Sequence, residues 1–255
     1  MIHTCAFAQA LAPKYEGEVN VVPDDVLTRT SDTRFMIPAD FARIDSIICY
    51  KEPAITIPRV FSPSLETRKI RKYVIPTYPF TGDKIVVPLD KKSVSLVPTE
   101  EISVLAKNTH DNQAMNILVA LNLGTKEKLE AEDVLIVRAN GSGTFVPGSW
   151  VSVKVVPEIA LEAGSYQLLG FLAFSDVCHL ARVLIAGQVA RPGWGCYRKY
   201  FEDDPEILDL FFNHEFTNCG IFPHTAFPEF QFLNAYKSST PVEEQVSVIM
   251  FLKKV

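Results

Sequence analysis

The sequence predicts an all-β protein, arranged as two antiparallel sandwiches in tandem with at most two short helices. Three observations predict it. Short runs of β-branched and aromatic residues recur along the whole chain, bounded by Gly and Pro, as antiparallel strands joined by tight turns require. No segment shows the strand–helix–strand rhythm of a parallel α/β fold, and no fixed period marks a solenoid or propeller. About fourteen to sixteen strands can be counted, roughly twice the eight of a single jelly roll. Two rolls, divided near residue 100 into 1–100 (with an N-terminal arm) and 101–255, account for the 255 residues better than one.

The densest signal lies between Val134 and Gly195, where apolar runs are separated by NGSG, VPG, EAG, AG and RPG. Taken in order, the N-terminal MIHTCAFAQALAPKYEG lacks the cationic start and long apolar core of a secretory signal, so an arm that packs on a neighbour is expected. EGEVNVV alternates as a half-buried strand does, and Asp24–Asp32 is polar and turn-forming. RFMIP, RIDSIICY, AITIPRVFS, KYVIPTY, KIVVPL and VSLVP follow. Prolines 38, 53, 58, 76, 88 and 98 keep these strands short or at sheet edges, because proline removes a ladder donor. EISVLAK and AMNILVALNL read as two more strands around the bend NTHDNQ. TKEKLEAED is a helical turn or an exposed loop. EDDPEILDLFFNHEF is the best helix candidate, with Asp203 or Asp204 to cap it and Pro205 in its first turn. EFQFLNAY and EQVSVIMFLKKV close the chain as strands.

Composition narrows the function. Hydrophobic residues make up 47 %, enough for a substantial core, and the net charge is −5. That balance argues against a sequence-specific or free nucleic-acid binder. No apolar run approaches the roughly 20 residues that span a bilayer. The five cysteines are widely spaced with no CxxC, which fits reduced, mostly buried thiols.

Catalytic patterns fail one by one. GSGT at Gly141–Thr144 lacks the lysine and following helix of a phosphate loop and reads as a β-turn. No histidine pair has HxH or HExxH spacing, and Cys196, His214, Cys219 and His224 match no standard zinc spacing. There is no GxSxG elbow. Glu100–Glu101, Asp203–Asp204 and Glu243–Glu244 are adjacent pairs that diverge on a strand. No catalytic residue, cofactor or metal ligand is assigned, and the chain is not expected to be an enzyme.

Aromatic residues in loop-like stretches are the remaining feature. Trp150, Arg191, Trp194, Tyr197, Phe222 and Phe227 either fold back over the sandwich ends or bury against partner subunits, where aromatics and Arg are favoured. Arg68, Lys69, Arg71 and Lys72 either solvate a strand edge or meet an anionic surface.

RFMIPADFARIDSI, NILVALNLG and GSYQLLGFLAFSDVCHLARVLIAGQVARPGWG, closed by EFQFLNAY and a hydrophobic last strand, resemble the jelly-roll major capsid proteins of tailless icosahedral bacteriophages, especially the double-jelly-roll type. In that family a G-x-Y strand is followed by an A-R-L strand and an RPG loop. The resemblance implies a homotrimer that tiles as a pseudo-hexamer, with strands standing roughly perpendicular to the shell. It also implies penton or minor capsid partners, an internal membrane beneath the shell, and a place in the virion after synthesis in the host cytoplasm. Trp150, Arg191, Trp194, Tyr197, Phe222 and Phe227 would then be interface residues, and Arg68, Lys69, Arg71 and Lys72 an inner-surface patch. The competing expectation is a carbohydrate-binding β-sandwich, with Trp150, Trp194 and Tyr197 as sugar-stacking platforms. A cupin-like enzyme is weakened by the missing HxH spacing.

Overall fold

The computed structural model describes residues 2–13, 19–21, 29–31, 34–56, 58–67, 77–78, 94–124, 133–207, 217–234 and 240–255. They form an all-β fold of two jelly rolls in tandem. The first is built from β1 (Ile2–Leu11), β2 (Val19–Val21), β3 (Arg29–Ser31), β4 (Arg34–Met36), β5 (Arg43–Lys51), β6 (Arg59–Phe61), β7 (Thr77–Tyr78), β8 (Val94–Ser95), β9 (Glu101–Ala106) and β10 (Met115–Gly124). The second has β11 (Leu135–Phe145), β12 (Trp150–Val153), β13 (Val156–Pro157), β14 (Ser165–Phe174), β15 (Leu180–Leu184), β16 (Gly193–Tyr197), β17 (Gly220–Pro223), β18 (Glu229–Leu233) and β19 (Val242–Lys254). Helix is confined to α1 (Pro63–Thr67), residues 205–207 and two 3-10 turns among the described residues. The strand count exceeds the sequence expectation because several pieces are only two or three residues long.

The second roll shows the wrap most completely. First pairs with last (β11 with β19), second with second-last (β12 with β18), then β14 with β17 and β15 with β16. A long hairpin rolled up on itself gives this nesting, which is the jelly-roll topology. The first roll repeats it, pairing β1 with β10, β2 with β9, and β5 with β8. Even a detail recurs: β5 pairs in parallel with β7 at Cys49 and Tyr50, and β14 pairs in parallel with β16 at Ala173 and Phe174.

This nesting moves the boundary. β9 and β10 pair with β1, β2, β4, β5 and β6, so the change of partners falls after Gly124 rather than at residue 100. The closing strands of a roll return to its opening strands, and an apolar pattern does not reveal the partner of a strand.

Each roll has its own core. Cys5, Phe7, Phe35, Ile47, Val104 and Val119 fill the first, and Phe171, Trp194, Phe230, Phe232, Val248 and Met250 are among those that fill the second. The expected N-terminal arm is instead β1, buried over most of its length and paired with β10 along its whole length. Cys5, Phe7 and Leu11 point inward, so the segment belongs to the core it helps to close. Within Asp24–Asp32, expected as a turn, Arg29–Ser31 is a short strand against β4.

GSGT is not a turn either. It lies inside β11, where Gly141 and Gly143 occupy inward positions continuing Val137 and Ala139. A Cβ on Gly141 would come within 2.6 Å of the Val153 side chain on β12. The glycines leave room for β12 to fold over β11, a close-approach role rather than a turn. Reversal comes at VPG, where Gly148 takes φ 71°, a left-handed conformation that glycine adopts without a Cβ clash.

Candidate functional site

The rolls are joined through unlike faces. On the first, the outward residues of the β1–β10–β5 sheet are Ala6, Ala8, Leu118, Ala120, Ile48 and Tyr50. They pack on Leu180, Leu233 and Trp150, which point outward from β15, β18 and β12 of the second roll. Side chains alternate across a strand, so a row of small outward alanines lets the two sheets approach closely. The central strand β10 is therefore buried on both faces, all ten residues of it.

Several polar groups at this junction are matched, while the buried Trp150 Nε1 makes no protein hydrogen bond. Arg182, 3 % exposed, donates from Nε to Gln231 Oε1 at 2.8 Å, and its guanidinium carbon lies 4.0 Å from the Trp150 ring centroid. This pairs a desolvated cation with an aromatic face. Thr4 donates its Oγ1 proton to Asn122 Oδ1 at 2.7 Å and its backbone N–H to the Arg191 carbonyl at 3.0 Å. His3 Nδ1 donates to the Val189 carbonyl at 3.3 Å. The RPG segment thus covers the outer edge of β1, an edge that would otherwise invite pairing with another chain. Its glycine is required: a Cβ on Gly193 would sit 2.7 Å from the Ala181 carbonyl and 3.0 Å from Thr4 Oγ1.

His179 lies at the same junction, edge-on to Tyr50 at 5.7 Å. Burial, with the nearby Arg198 cation second, pulls its pKa down to about 3, so the ring is neutral. All five cysteines are free and buried. Burial pushes the Cys49 thiol up to about 12 and also raises Cys178 and Cys196. These thiols stay protonated and unreactive at neutral pH.

At β9 and β19 the adjacent carboxylates diverge, and the inward one of each pair ties down a turn, whereas Asp203–Asp204 lies in a turn. Glu100 accepts from Ser64 Oγ at 2.5 Å and from the Val97 N–H at 2.9 Å, while Glu101 faces Arg34 at 3.1 Å. Glu244 accepts from Ser175 Oγ at 2.6 Å and the Asp176 N–H at 2.7 Å, with Lys199 Nζ 3.2 Å away. Among the described residues no group of three or more His, Cys, Asp or Glu is arranged to hold a metal ion.

The structure redistributes the six aromatic and arginine candidates. Trp194 is 6 % exposed inside the second core, edge-on to Phe171 at 4.9 Å. Phe222 is buried between Tyr166 and Phe227, with centroids at 6.1 and 5.7 Å. Tyr197 packs against Phe174 over the outer face of β14 and β19. Trp150 and the Arg191 carbonyl belong to the junction within the chain. Trp194, Tyr197 and Phe222 are thus buried within their own chain, because a short strand or turn puts each ring over an apolar sheet, while Trp150, Arg191 and Phe227 are half-buried. Arg68, Lys69, Arg71 and Lys72, and also His214, lie outside the described residues.

Sequence reasoning passed over Thr4, Tyr50, Asn122 and Arg182, and weighed His179 only as a metal ligand beside Cys178. The available signal was a full-charge arginine within the apolar run CHLARVLI, flanked by nothing acidic. Comparison with protein-family models, curated proteins and solved structures gives no match.

Proposed function

We propose that this chain is a structural shell protein, the major capsid protein of a tailless icosahedral virus, which assembles with copies of itself into the virion. The observation that carries this reading is the repetition of one jelly-roll plan in two units docked through unlike faces. A head-to-tail relation of this kind is what builds rings and sheets when it continues from chain to chain. The covered outer edge of β1 also suits a wall that must contact neighbours by side chains rather than by strand pairing. Penton and minor capsid proteins would be its other partners, and an underlying membrane would meet Arg68, Lys69, Arg71 and Lys72.

The carbohydrate-binding alternative loses its platforms, since Trp194 and Tyr197 are buried and the Trp150 face is taken by Arg182. The deciding experiment is native mass by light scattering across concentration and salt, with negative-stain imaging. Trimers of the 28.5 kDa chain, sheets or shells are expected. A monomer that persists at high concentration overturns the reading. Replacing the four cations by Ser should weaken liposome association, and unchanged association would remove the membrane contact.

A further inference from the structure

One end of the first roll is knitted together by the bend between β9 and β10. The Asn108 side chain, buried there, donates from Nδ2 to the carbonyls of Leu11, Ala12 and Gln113 at 3.0, 3.1 and 2.9 Å. It thereby joins the bend to the end of β1. Its Oδ1 accepts the His110 N–H at 2.9 Å. Thr109 donates its N–H and its Oγ1 proton to the Ala54 carbonyl at 2.8 and 2.7 Å, which adds the turn after β5. The bend itself is closed by the half-buried His110 ring. Its Nδ1 accepts from the backbone N–H groups of Asn112 and Gln113 at 3.2 and 3.0 Å, so the proton of the neutral ring sits on Nε2.

We propose that His110 is a proton-operated latch on this bend, whatever the chain assembles into. Two backbone donors converge on one ring nitrogen, which accepts them only while it carries no proton. In the imidazolium both ring nitrogens are donors, so no rotation of the ring restores the pair. Imidazole is the side chain suited to such a change near neutral pH. Protonation therefore releases the exposed tip from Asp111 to Ala114, while the strands on either side stay paired. The charged side chains of the bend and of the described segments bonded to it are Lys51, Glu52, Lys107 and Asp111. Lys51 Nζ donates to the Ile55 carbonyl at 2.8 Å, and Glu52 accepts from Asn116 Nδ2 at 3.2 Å. Lys107 and Asp111 flank the ring along the chain.

His224 in the second roll shows what His110 lacks. Its Nδ1 accepts from the Gly164 N–H at 3.2 Å, but the Gly164 carbonyl lies 3.3 Å from the same nitrogen. The His224 N–H also donates to that carbonyl at 2.9 Å. A protonated His224 can thus donate where it had accepted, and its turn keeps a backbone tie. The Nδ1 of His110 faces two N–H groups and no carbonyl.

Amide exchange of the folded full chain, followed by NMR from about pH 8 to about pH 5, reads the latch. Each rate is divided by that of the free peptide at the same pH. Protection at Asn112 and Gln113 should fall about tenfold as the His110 ring gains its proton, the loss of one or two neutral hydrogen bonds. The His224 amide and the β10 amides should keep theirs, which separates a local release from a global loss of stability through His179. His110→Asn supplies an Oδ1 that can accept the same N–H groups and does not titrate, so protection should persist across the range. His110→Ala should leave both amides unprotected throughout. Protection that does not follow the charge of the ring in the wild-type chain overturns the latch, and so does a pH dependence that survives in His110→Asn. The wild-type titration decides the matter even where a variant fails to fold.

Discussion

The two rolls share a strand plan but not a way of covering it. In the first, the outer face of β1, β10 and β5 is covered by the other roll, through Leu180, Leu233 and Trp150. In the second, the equivalent face of β14 and β19 is covered by its own β16–β17 connection, through Tyr197, Phe201 and Ile207. Burial patterns follow. β1 is buried over most of its length, whereas its counterpart β11 alternates between exposed and buried along most of its own. A strand's hydrophobic period thus reports what lies on each side of its sheet, not the topology. The second roll is the more self-sufficient unit, and the first depends on it.

The largest effect should come from the cores. Phe171→Ala removes a ring that meets both Trp194 and Phe230 edge-on, at 4.9 and 5.1 Å, and should cost about 3–5 kcal/mol. Because the first roll leans on the second, denaturation followed by hydrogen exchange should show both rolls opening together. Phe7→Ala in the first core should cost a similar amount but open the first roll while the second stays protected. Equal loss of protection in both rolls for both variants would erase the proposed asymmetry.

Next comes the seam. Gly193→Val drives side-chain atoms into the Ala181 carbonyl, the Arg182 Cβ and Thr4 Oγ1, and should cost about 1–3 kcal/mol. Calorimetry should then resolve two transitions in place of one. A single transition at lower temperature would mean the rolls unfold together regardless of the seam.

Acid should act on the same seam. His179 is held at about 3, below the 6.5 of an exposed ring, so the unfolded chain binds its proton first. Its contribution is intact above pH 6.5 and is lost as pH falls from there toward 3, at about 1.4 kcal/mol per unit. His179→Gln should flatten the stability slope between pH 6.5 and 5, as measured by urea midpoints. An unchanged slope would assign acid sensitivity to carboxylates elsewhere.

The smallest effect belongs to the surface. Lys254 and Glu162 pair at 2.8 Å in solvent, raising the pKa of the lysine and lowering that of the carboxyl. Lys254→Ala should leave the melting temperature unmoved, because solvent and salt screen exposed pairs.

Much of this was legible in the chain. NILVALNL and SVIMFLKK announce strands because side chains buried on at least one face must be apolar, and Gly148 marks a reversal because its φ of 71° suits few other residues. The free cysteines were readable from spacing alone. Other features were not. GSGT looks like a turn, since a strand that needs room for Val153 and a turn that needs left-handed φ both select glycine. The N-terminal apolar stretch looks like an arm because its partner, β10, lies more than a hundred residues away in sequence. The loop aromatics kept two fates open, and only the positions of Phe171, Tyr166 and Phe174 decided that Trp194, Phe222 and Tyr197 turn inward.

By itself, then, the sequence determined the class of the fold and most strand positions, because alternation and turn chemistry are local. Tertiary structure decided which strands close which roll, that the division falls after Gly124, and that Arg182 lies against Trp150 at a buried seam. Those outcomes depend on pairings between distant segments, and a residue's own neighbours along the chain carry no record of what will be laid across its other face.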